Sequence, residues 1–248
     1  MAERSGAGRT AVDARAVLEP MDGRQPNARA SFRPMAIAGN VTFKGPAGRL
    51  EGIYRPADEP QAAAVVCHPL PTHGGTMHNK IVFRVAKAFE RTGHAVLRFN
   101  FRGVGRSQGT FSDGPGEAED VRAALDWLAG RHPRVPLIVA GFSFGSVVGL
   151  PVGAADPRVD HLLGIGIPTD RFPFDALRRS ALPKLFVQGD RDEFGPLERL
   201  RTGLSRVAEP WDLEVVEGAD HFFAGRLAEL ERVIAAWLSA SDRSTPPA

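Results

Sequence analysis

The pentapeptide Gly141-Phe142-Ser143-Phe144-Gly145 has the form G-x-S-x-G. When a strand precedes that pattern and a helix follows it, the serine sits on a sharp turn with its hydroxyl projecting above the sheet. Residues 137–140 are apolar, as a strand would be, and a segment of small and apolar residues runs on from Ser143 to about Ala155. The two glycines remove the Cβ atoms that would collide where strand and helix approach. The helix that begins at Ser143 aims its first amides at any negative charge developing there. This is the chemistry of a nucleophilic serine.

A serine hydroxyl needs a base, and the base needs a carboxylate to orient it. There are seven histidines, and only His221 follows the last strand-like segments. It lies in Glu217-Gly218-Ala219-Asp220-His221-Phe222-Phe223, directly after the apolar run at 213–216. The acid is expected in Gln188-Gly189-Asp190-Arg191-Asp192-Glu193, at the carboxyl end of the strand at 184–187, where open α/β sheets place ligand chemistry. Asp192 is favoured because it lies further into the loop and can turn back toward His221; Asp190 is the alternative. Asp220 suits an Asx-type turn beside His221.

The intermediate of acyl transfer carries an oxyanion, which needs backbone N–H donors. One is Phe144, the residue after the nucleophile. The other should come from the loop His68-Pro69-Leu70-Pro71-Thr72-His73-Gly74-Gly75-Thr76-Met77-His78-Asn79-Lys80. Pro69 and Pro71 have no N–H, so Leu70 is the first free donor after His68, and its flanking prolines stiffen it. His68, His73 and His78 are spaced five and five apart with Pro and Gly between them, unlike the i, i+4 pair of a helical zinc site. No metal is expected there and no cofactor is implied. The run Phe99-Asn100-Phe101-Arg102-Gly103-Val104-Gly105-Arg106-Ser107-Gln108-Gly109 lacks the third glycine and the following helix of a dinucleotide fingerprint. It reads as a tight loop passing beneath the site.

Alternating elements would position these residues. Residues 41–43 and 50–54 form a hairpin pattern. Ala63–Cys67 is uniformly apolar, as a strand covered on both faces is. A helical pattern at 79–91, a strand at Ala95–Phe99 and a helical pattern at 117–130 lead to the strand before Ser143. Strands at 162–167, 184–187 and 213–216 follow, with helices near 197–207 and 224–238. This order predicts an α/β fold, a mostly parallel sheet with helices on both faces. The interval 168–183 is short, with room for about two helical turns at 173–180, which predicts a minimal lid or none. Phe142, Phe144, Phe172, Phe194, Phe222 and Phe223 lie near the expected loops, divided between core and an apolar acyl pocket.

The segments His68-Pro69-Leu70-Pro71 through Gly74-Gly75-Thr76-Met77-His78-Asn79-Lys80, then Phe99 to Gly105, then Gly141 to Gly145, resemble a group of small bacterial α/β-hydrolases. That group is related to dienelactone hydrolases and to the Xaa-Pro dipeptidyl-peptidase-like domain. The resemblance spans roughly residues 36–240. It implies the α/β-hydrolase fold, with Ser143, Asp192 and His221 as a triad in that chain order and Leu70 and Phe144 as oxyanion donors. Leu70 and His73 stand where many relatives carry other residues, which leaves the backbone roles intact.

The whole chain fits this picture. It has 248 residues, with 43% hydrophobic and 24% charged, as in soluble globular proteins. A net charge of +2 from interspersed acidic and basic residues gives no reason to expect a nucleic-acid partner. The single cysteine, Cys67, excludes an intrachain disulfide and sits in an apolar run as a buried thiol. No stretch reaches the roughly 20 apolar residues that span a bilayer, and the N-terminus has no secretory h-region. A cytoplasmic enzyme is expected. Residues 1–35 read as a disordered extension, 36–240 as one domain and 241–248 as a frayed tail. The expected activity is hydrolysis of small carboxylic esters through an acyl-enzyme. Amide or thioester cleavage, or acyl transfer, on the same residues is the first alternative, and a non-catalytic binding protein on the same scaffold is the second.

Overall fold

The computed structural model describes residues 38–241. The expected extension at 1–35 and residues 242–248 of the expected tail lie outside this range. Eight strands form one sheet: β1 (Gly39–Gly45), β2 (Gly48–Arg55), β3 (Ala63–Cys67), β4 (Ala95–Phe99), β5 (Leu137–Phe142), β6 (Val159–Ile165), β7 (Lys184–Gly189) and β8 (Trp211–Val216). Their order across the sheet is β1-β2-β4-β3-β5-β6-β7-β8. The β1–β2 and β2–β4 pairs are antiparallel and every later pair is parallel.

Burial on both faces explains the apolar runs. In β3, Ala63, Val65 and Cys67 face one core while Ala64 and Val66 face the other, because successive side chains of a strand alternate sides. Helices α1 (Lys80–Arg91) and α5 (Leu227–Ser241) bury Ile81, Val85 and Phe89, and Leu230, Ile234 and Leu238, on the second face. Helices α2 (Pro115–Arg131), α3 (Phe144–Ala155) and α4 (Leu197–Leu204) cover the first with Val121, Leu125, Val148, Leu200 and Leu204. Ser241, expected in the tail, is the last residue of α5. Among the described residues no helix is long and apolar enough to cross a membrane.

The interval between β6 and β7 holds a single 3-10 turn, Phe174–Leu177, where two helical turns were expected. Phe174 and Leu177 are buried three positions apart, while Arg178 and Arg179 are exposed, so only one turn has an apolar face to dock. This interval accordingly holds no lid domain. β6 starts at Val159, earlier than its apolar pattern suggested, because the polar pair Asp160 and His161 interrupts that pattern. His161 lies edge-on to Trp237 at 5.4 Å and is only partly buried.

The sheet order dictates where a site can form. From β3 the chain crosses to β4 on one side, and later to β5 on the other. The carboxyl ends of β3 and β5 therefore flank a topological switch point, where the outgoing loops diverge and leave a crevice. Leu70 follows β3 and Ser143 follows β5.

Candidate active site

Ser143 occupies the turn between β5 and α3 with φ 52° and ψ −119°. A non-glycine residue in this region costs about 1–3 kcal/mol and persists only where its surroundings impose it. The surroundings do so here. The Ser143 N–H donates to the Ile165 carbonyl at 2.9 Å. Its own carbonyl accepts from Ser146 N at 2.9 Å, Val147 N at 3.3 Å and Ser146 Oγ at 2.6 Å. The flanking glycines are required by space. A Cβ on Gly141 would lie 2.4 Å from the Gly145 backbone, and one on Gly145 would lie 2.3 Å from the Cys67 carbonyl oxygen. The second contact also shows that α3 begins directly against the end of β3.

His221 follows β8 and is buried. Its Nε2 lies 3.0 Å from Ser143 Oγ, and its Nδ1 lies 2.8 Å from Asp192 Oδ2. An imidazole whose Nδ1–H donates to a carboxylate presents the Nε2 lone pair to the serine hydroxyl. Phe142, Phe194 and Phe222 surround the ring at centroid distances of 5.2, 4.7 and 5.2 Å.

Asp192 lies three residues past the end of β7 and is buried. Its Oδ1 accepts from Phe194 N and Gly195 N, each at 2.9 Å. Its Oδ2 accepts from His221 and from Gln188 Nε2, the latter at 2.8 Å. Four donors fill the roughly four lone-pair positions of a carboxylate. Asp190, the alternative acid, points elsewhere: its Oδ1 accepts from Gly218 N at 2.6 Å. Asp220 forms the expected Asx turn, accepting from Phe222 N at 3.0 Å and Ala224 N at 2.9 Å.

Phe144 is the first residue of α3, so its N–H has no intrahelical acceptor. Leu70 opens a 3-10 turn, Pro71–His73, and its carbonyl accepts from His73 N and Gly75 N, each at 3.1 Å. His68 sets the plane of the preceding peptide. Its Nδ1 lies 2.7 Å from the Pro69 carbonyl oxygen, while its Nε2 accepts from Phe101 N at 3.1 Å. In a trans peptide the C=O and N–H point oppositely, so holding the Pro69 carbonyl toward His68 turns the Leu70 N–H away from it. Burial drives the His68 pKa down to about 4, from 6.5, although its bond to the Pro69 carbonyl and the charge of Glu117 act in the other direction. A neutral ring is what this donor–acceptor pattern requires.

The three histidines of this loop do not converge. His68 is buried, whereas His73 lies exposed against Thr72 Oγ1 and His78 is exposed. Among the described residues no group of three His, Cys, Asp or Glu side chains is arranged to hold a metal ion. Cys67 is fully buried beneath the site, and desolvation pushes its thiol pKa up.

The glycine-rich run after β4 braces the loop that bears Leu70. Asn100 Oδ1 accepts from Met77 N at 2.7 Å, and Asn100 Nδ2 donates to Glu51 at 2.8 Å. Arg98 donates to the Met77 carbonyl at 2.9 Å. Arg102 forms a two-point ion pair with buried Asp120 on α2, at 3.0 and 2.8 Å. Two contributors were not foreseen from sequence, Gln188 and Asn100. Gln188 also accepts from Ile167 N at 2.7 Å and donates to the Gly195 carbonyl at 2.9 Å. The signal was a glutamine closing the apolar strand Lys184–Gly189, since a fully buried amide needs partners.

Of the six phenylalanines expected near the site, Phe142, Phe144, Phe172 and Phe223 are core residues. Only Phe194 and Phe222 are exposed, at 51% and 45%. The Phe144 ring packs on Phe101 and Phe111 at 6.0 and 5.7 Å. Arg171 lies over it at 5.8 Å and pairs with Asp113 at 2.6 Å.

Comparison with known proteins agrees with this architecture. Residues 62–243 match the model of an α/β hydrolase domain family. An uncharacterised protein of Rickettsia prowazekii (strain Madrid E) is 36% identical over 204 residues, covering 78% of this chain and 86% of that protein. A structure described as an α/β serine hydrolase homologue from Coxiella burnetii is 37% identical, with a TM-score of 0.77 over 82% of this chain and 99% of that one. A Xanthomonas campestris protein, described as an α/β serine hydrolase without lid, is 34% identical, with a TM-score of 0.78 over 84% of this chain and 97% of that one. The fold, the short interval between β6 and β7 and these relatives agree: the chain belongs to the α/β hydrolase domain family.

Proposed function

We propose that this protein is a serine hydrolase that cleaves small carboxylic esters through an acyl-enzyme. The observation that carries the reading is the unbroken hydrogen-bonded chain from Ser143 Oγ through His221 to Asp192, at 3.0 and 2.8 Å. Ser143 Oγ attacks the ester carbonyl carbon while His221 Nε2 takes its proton. The carbonyl π electrons move onto oxygen, and the N–H groups of Leu70 and Phe144 receive the oxyanion. Asp192 holds the imidazole in the Nδ1–H form and stabilises the imidazolium. Collapse of the intermediate breaks the bond to the alkoxy group, which leaves as the alcohol with the proton from His221. Water then repeats the sequence on the acyl-serine, releasing the carboxylic acid and restoring the hydroxyl.

Preorganisation supports this reading. Strain at Ser143, four donors on Asp192 and the His68-held Pro69 carbonyl fix the groups before substrate arrives, which is how electrostatic stabilisation is obtained without reorganisation. The test compares wild type with Ser143→Ala on p-nitrophenyl acetate and with a fluorophosphonate probe. Wild type should turn over the ester and take one label per chain. The variant should lose kcat by a factor on the order of 10⁶ and take no label. Folded wild type that stays unlabelled while a control esterase reacts would sink the proposal.

A further inference from the structure

We infer that Phe194 and Phe222 form the subsite for the alcohol portion of the ester, and that the preferred substrates are esters of arylmethyl alcohols, benzyl esters being the simplest. The inference rests on the ester-hydrolase reading above and specifies what it leaves open.

Among the described residues four large hydrophobic side chains are exposed: Phe83, Phe194, Val215 and Phe222. Two of the four lie against the same imidazole. Phe194 is 4.7 Å from the His221 ring at an interplanar angle of 55°, and Phe222 is 5.2 Å away at 86°. The neighbouring Phe223 is fully buried, so this stretch of chain does hide an aromatic ring where the core needs one.

Neither exposed ring hangs on a loose backbone. Phe194 N donates to Asp192 Oδ1 at 2.9 Å, and the Phe194 carbonyl accepts from Thr169 N at 3.1 Å. Phe222 N donates to Asp220 Oδ1 at 3.0 Å. Exposed aromatic rings on a fixed backbone can bind a flat apolar group with little loss of conformational freedom.

The chemistry assigns the side of the substrate. In the collapse step His221 Nε2 gives its proton to the alkoxy oxygen, so that oxygen must stand within hydrogen-bond reach of Nε2. Its substituent then lies beside the imidazole, where Phe194 and Phe222 are. The acyl chain departs from the same carbon in another direction. The Phe144 ring, next to the nucleophile, is buried and lies under Arg171, so it adds no exposed aromatic surface. The exposed rings therefore select the leaving alcohol, whereas sequence alone suggested an acyl pocket. A methylene between ring and oxygen gives the aryl group the reach to pass the imidazole edge.

The test uses one acyl group and several alcohols: benzyl, cyclohexylmethyl and n-butyl acetate. Each passes through the same acetyl-Ser143, so differences in kcat/KM arise before the alcohol leaves. In wild type, kcat/KM for benzyl acetate should exceed that for butyl acetate by about tenfold, the factor that about 1.4 kcal/mol supplies. Cyclohexylmethyl acetate should fall between them. In the double variant Phe194→Ala, Phe222→Ala the benzyl-to-butyl ratio should approach one, and Phe194→Tyr, Phe222→Tyr should retain it. Independently of any variant, benzyl alcohol should inhibit wild type at about a tenth of the concentration needed for 1-butanol. A flat benzyl-to-butyl ratio in wild type would overturn the inference and leave the ester-hydrolase reading standing. So would an equal loss on both esters in the alanine variant, which is what mere support of the His221 loop would give. No turnover of any acetate, together with no fluorophosphonate label on Ser143, would overturn that reading and the inference with it.

Discussion

The loop after β3 and the loop after β7 leave the same end of the sheet, and each carries one group of the proposed site, but the two groups are aimed in different ways. The loop that bears Leu70 is fastened from a distance. His68 is met by Phe101 N, and Met77 is met by Asn100 and Arg98, all from the segment that ends β4 or follows it. The Asp192 carboxylate is aimed from within its own loop, although that loop is also tied to Thr169, Gly218 and Ala219. Phe194 N and Gly195 N turn back onto the carboxylate two and three residues earlier, and Gln188 reaches it from four residues before. The groups delivered account for the difference. A carboxylate is aimed by a local turn with amides closing on one oxygen. A backbone N–H is aimed only by fixing the peptide plane it belongs to: the adjacent His68 holds the opposite Pro69 carbonyl, and Phe101 N, from beyond β4, fixes that ring.

Exchanging the chemistry of the self-fastened group should have the largest effect. In Asp192→Asn the side-chain oxygen should stay on Phe194 N and Gly195 N, because both are donors. That places the amide NH2 toward Gln188 Nε2 and His221 Nδ1. His221 must then accept at Nδ1 and carry its proton on Nε2, where it donates to Ser143 and cannot act as base. We expect kcat to fall by about 10⁴, with the fold retained by circular dichroism. A loss below tenfold would mean that the geometry here does not set the tautomer.

The distance-fastened loop should respond less steeply and in a different observable. His68→Gln removes the rigid link from Phe101 N to the Pro69 carbonyl. The Leu70 amide is loosened without being deleted, so kcat should fall by roughly tenfold to a hundredfold, below the 10²–10³ that loss of an oxyanion donor costs. KM should change little. Stability should also depend on pH. Above pH 6.5 His68 is neutral both folded and unfolded. Between 6.5 and about 4 the unfolded chain binds a proton there that the folded chain does not, so stability falls as pH is lowered. Below about 4 both forms are protonated and the loss is complete, at most about 3–4 kcal/mol. Urea unfolding of wild type and His68→Gln from pH 7.5 to 4 should show the shallower decline in the variant. Parallel curves would contradict a neutral, buried His68.

The same contrast explains what the sequence made legible. Ser143 and its glycines, the strand before and the helix after, could be read because they interact within a few residues. The order Ser143, Asp192, His221 could be read because each follows a strand. The bracing of Met77 by Asn100 could not, since nothing local in Phe99-Asn100-Phe101 says which loop will lie against it. Gln188 fell between the two. Its burial at the end of β7 was foreseeable, but its partners on Ile167 and Gly195 depend on how β6 and β7 lie together. The early start of β6 was hidden for a similar reason, because the neighbour of His161, Trp237, sits in the last helix. Exposure of Phe194 and Phe222, with the other four of the six phenylalanines expected near the site buried, was likewise settled by tertiary packing.

Asp190 offers the smallest and most discriminating test, because it lies two residues from Asp192 in the same loop. Its carboxylate accepts from Gly218 N at 2.6 Å, tying the loop after β7 to the loop after β8 near the surface. Among the described residues it makes no hydrogen bond to His221 or Ser143. In Asp190→Asn the side-chain oxygen can still accept from Gly218 N, and only the charge assistance is lost. The cost should be no more than about 0.5–1 kcal/mol of stability. kcat/KM should stay within about threefold of wild type, a barrier change of less than about 1 kcal/mol. A loss for Asp190→Asn that approached that of Asp192→Asn would show that the carboxylate serving His221 depends on the whole loop, and would erase the distinction between a group aimed by its own turn and one aimed from a distance.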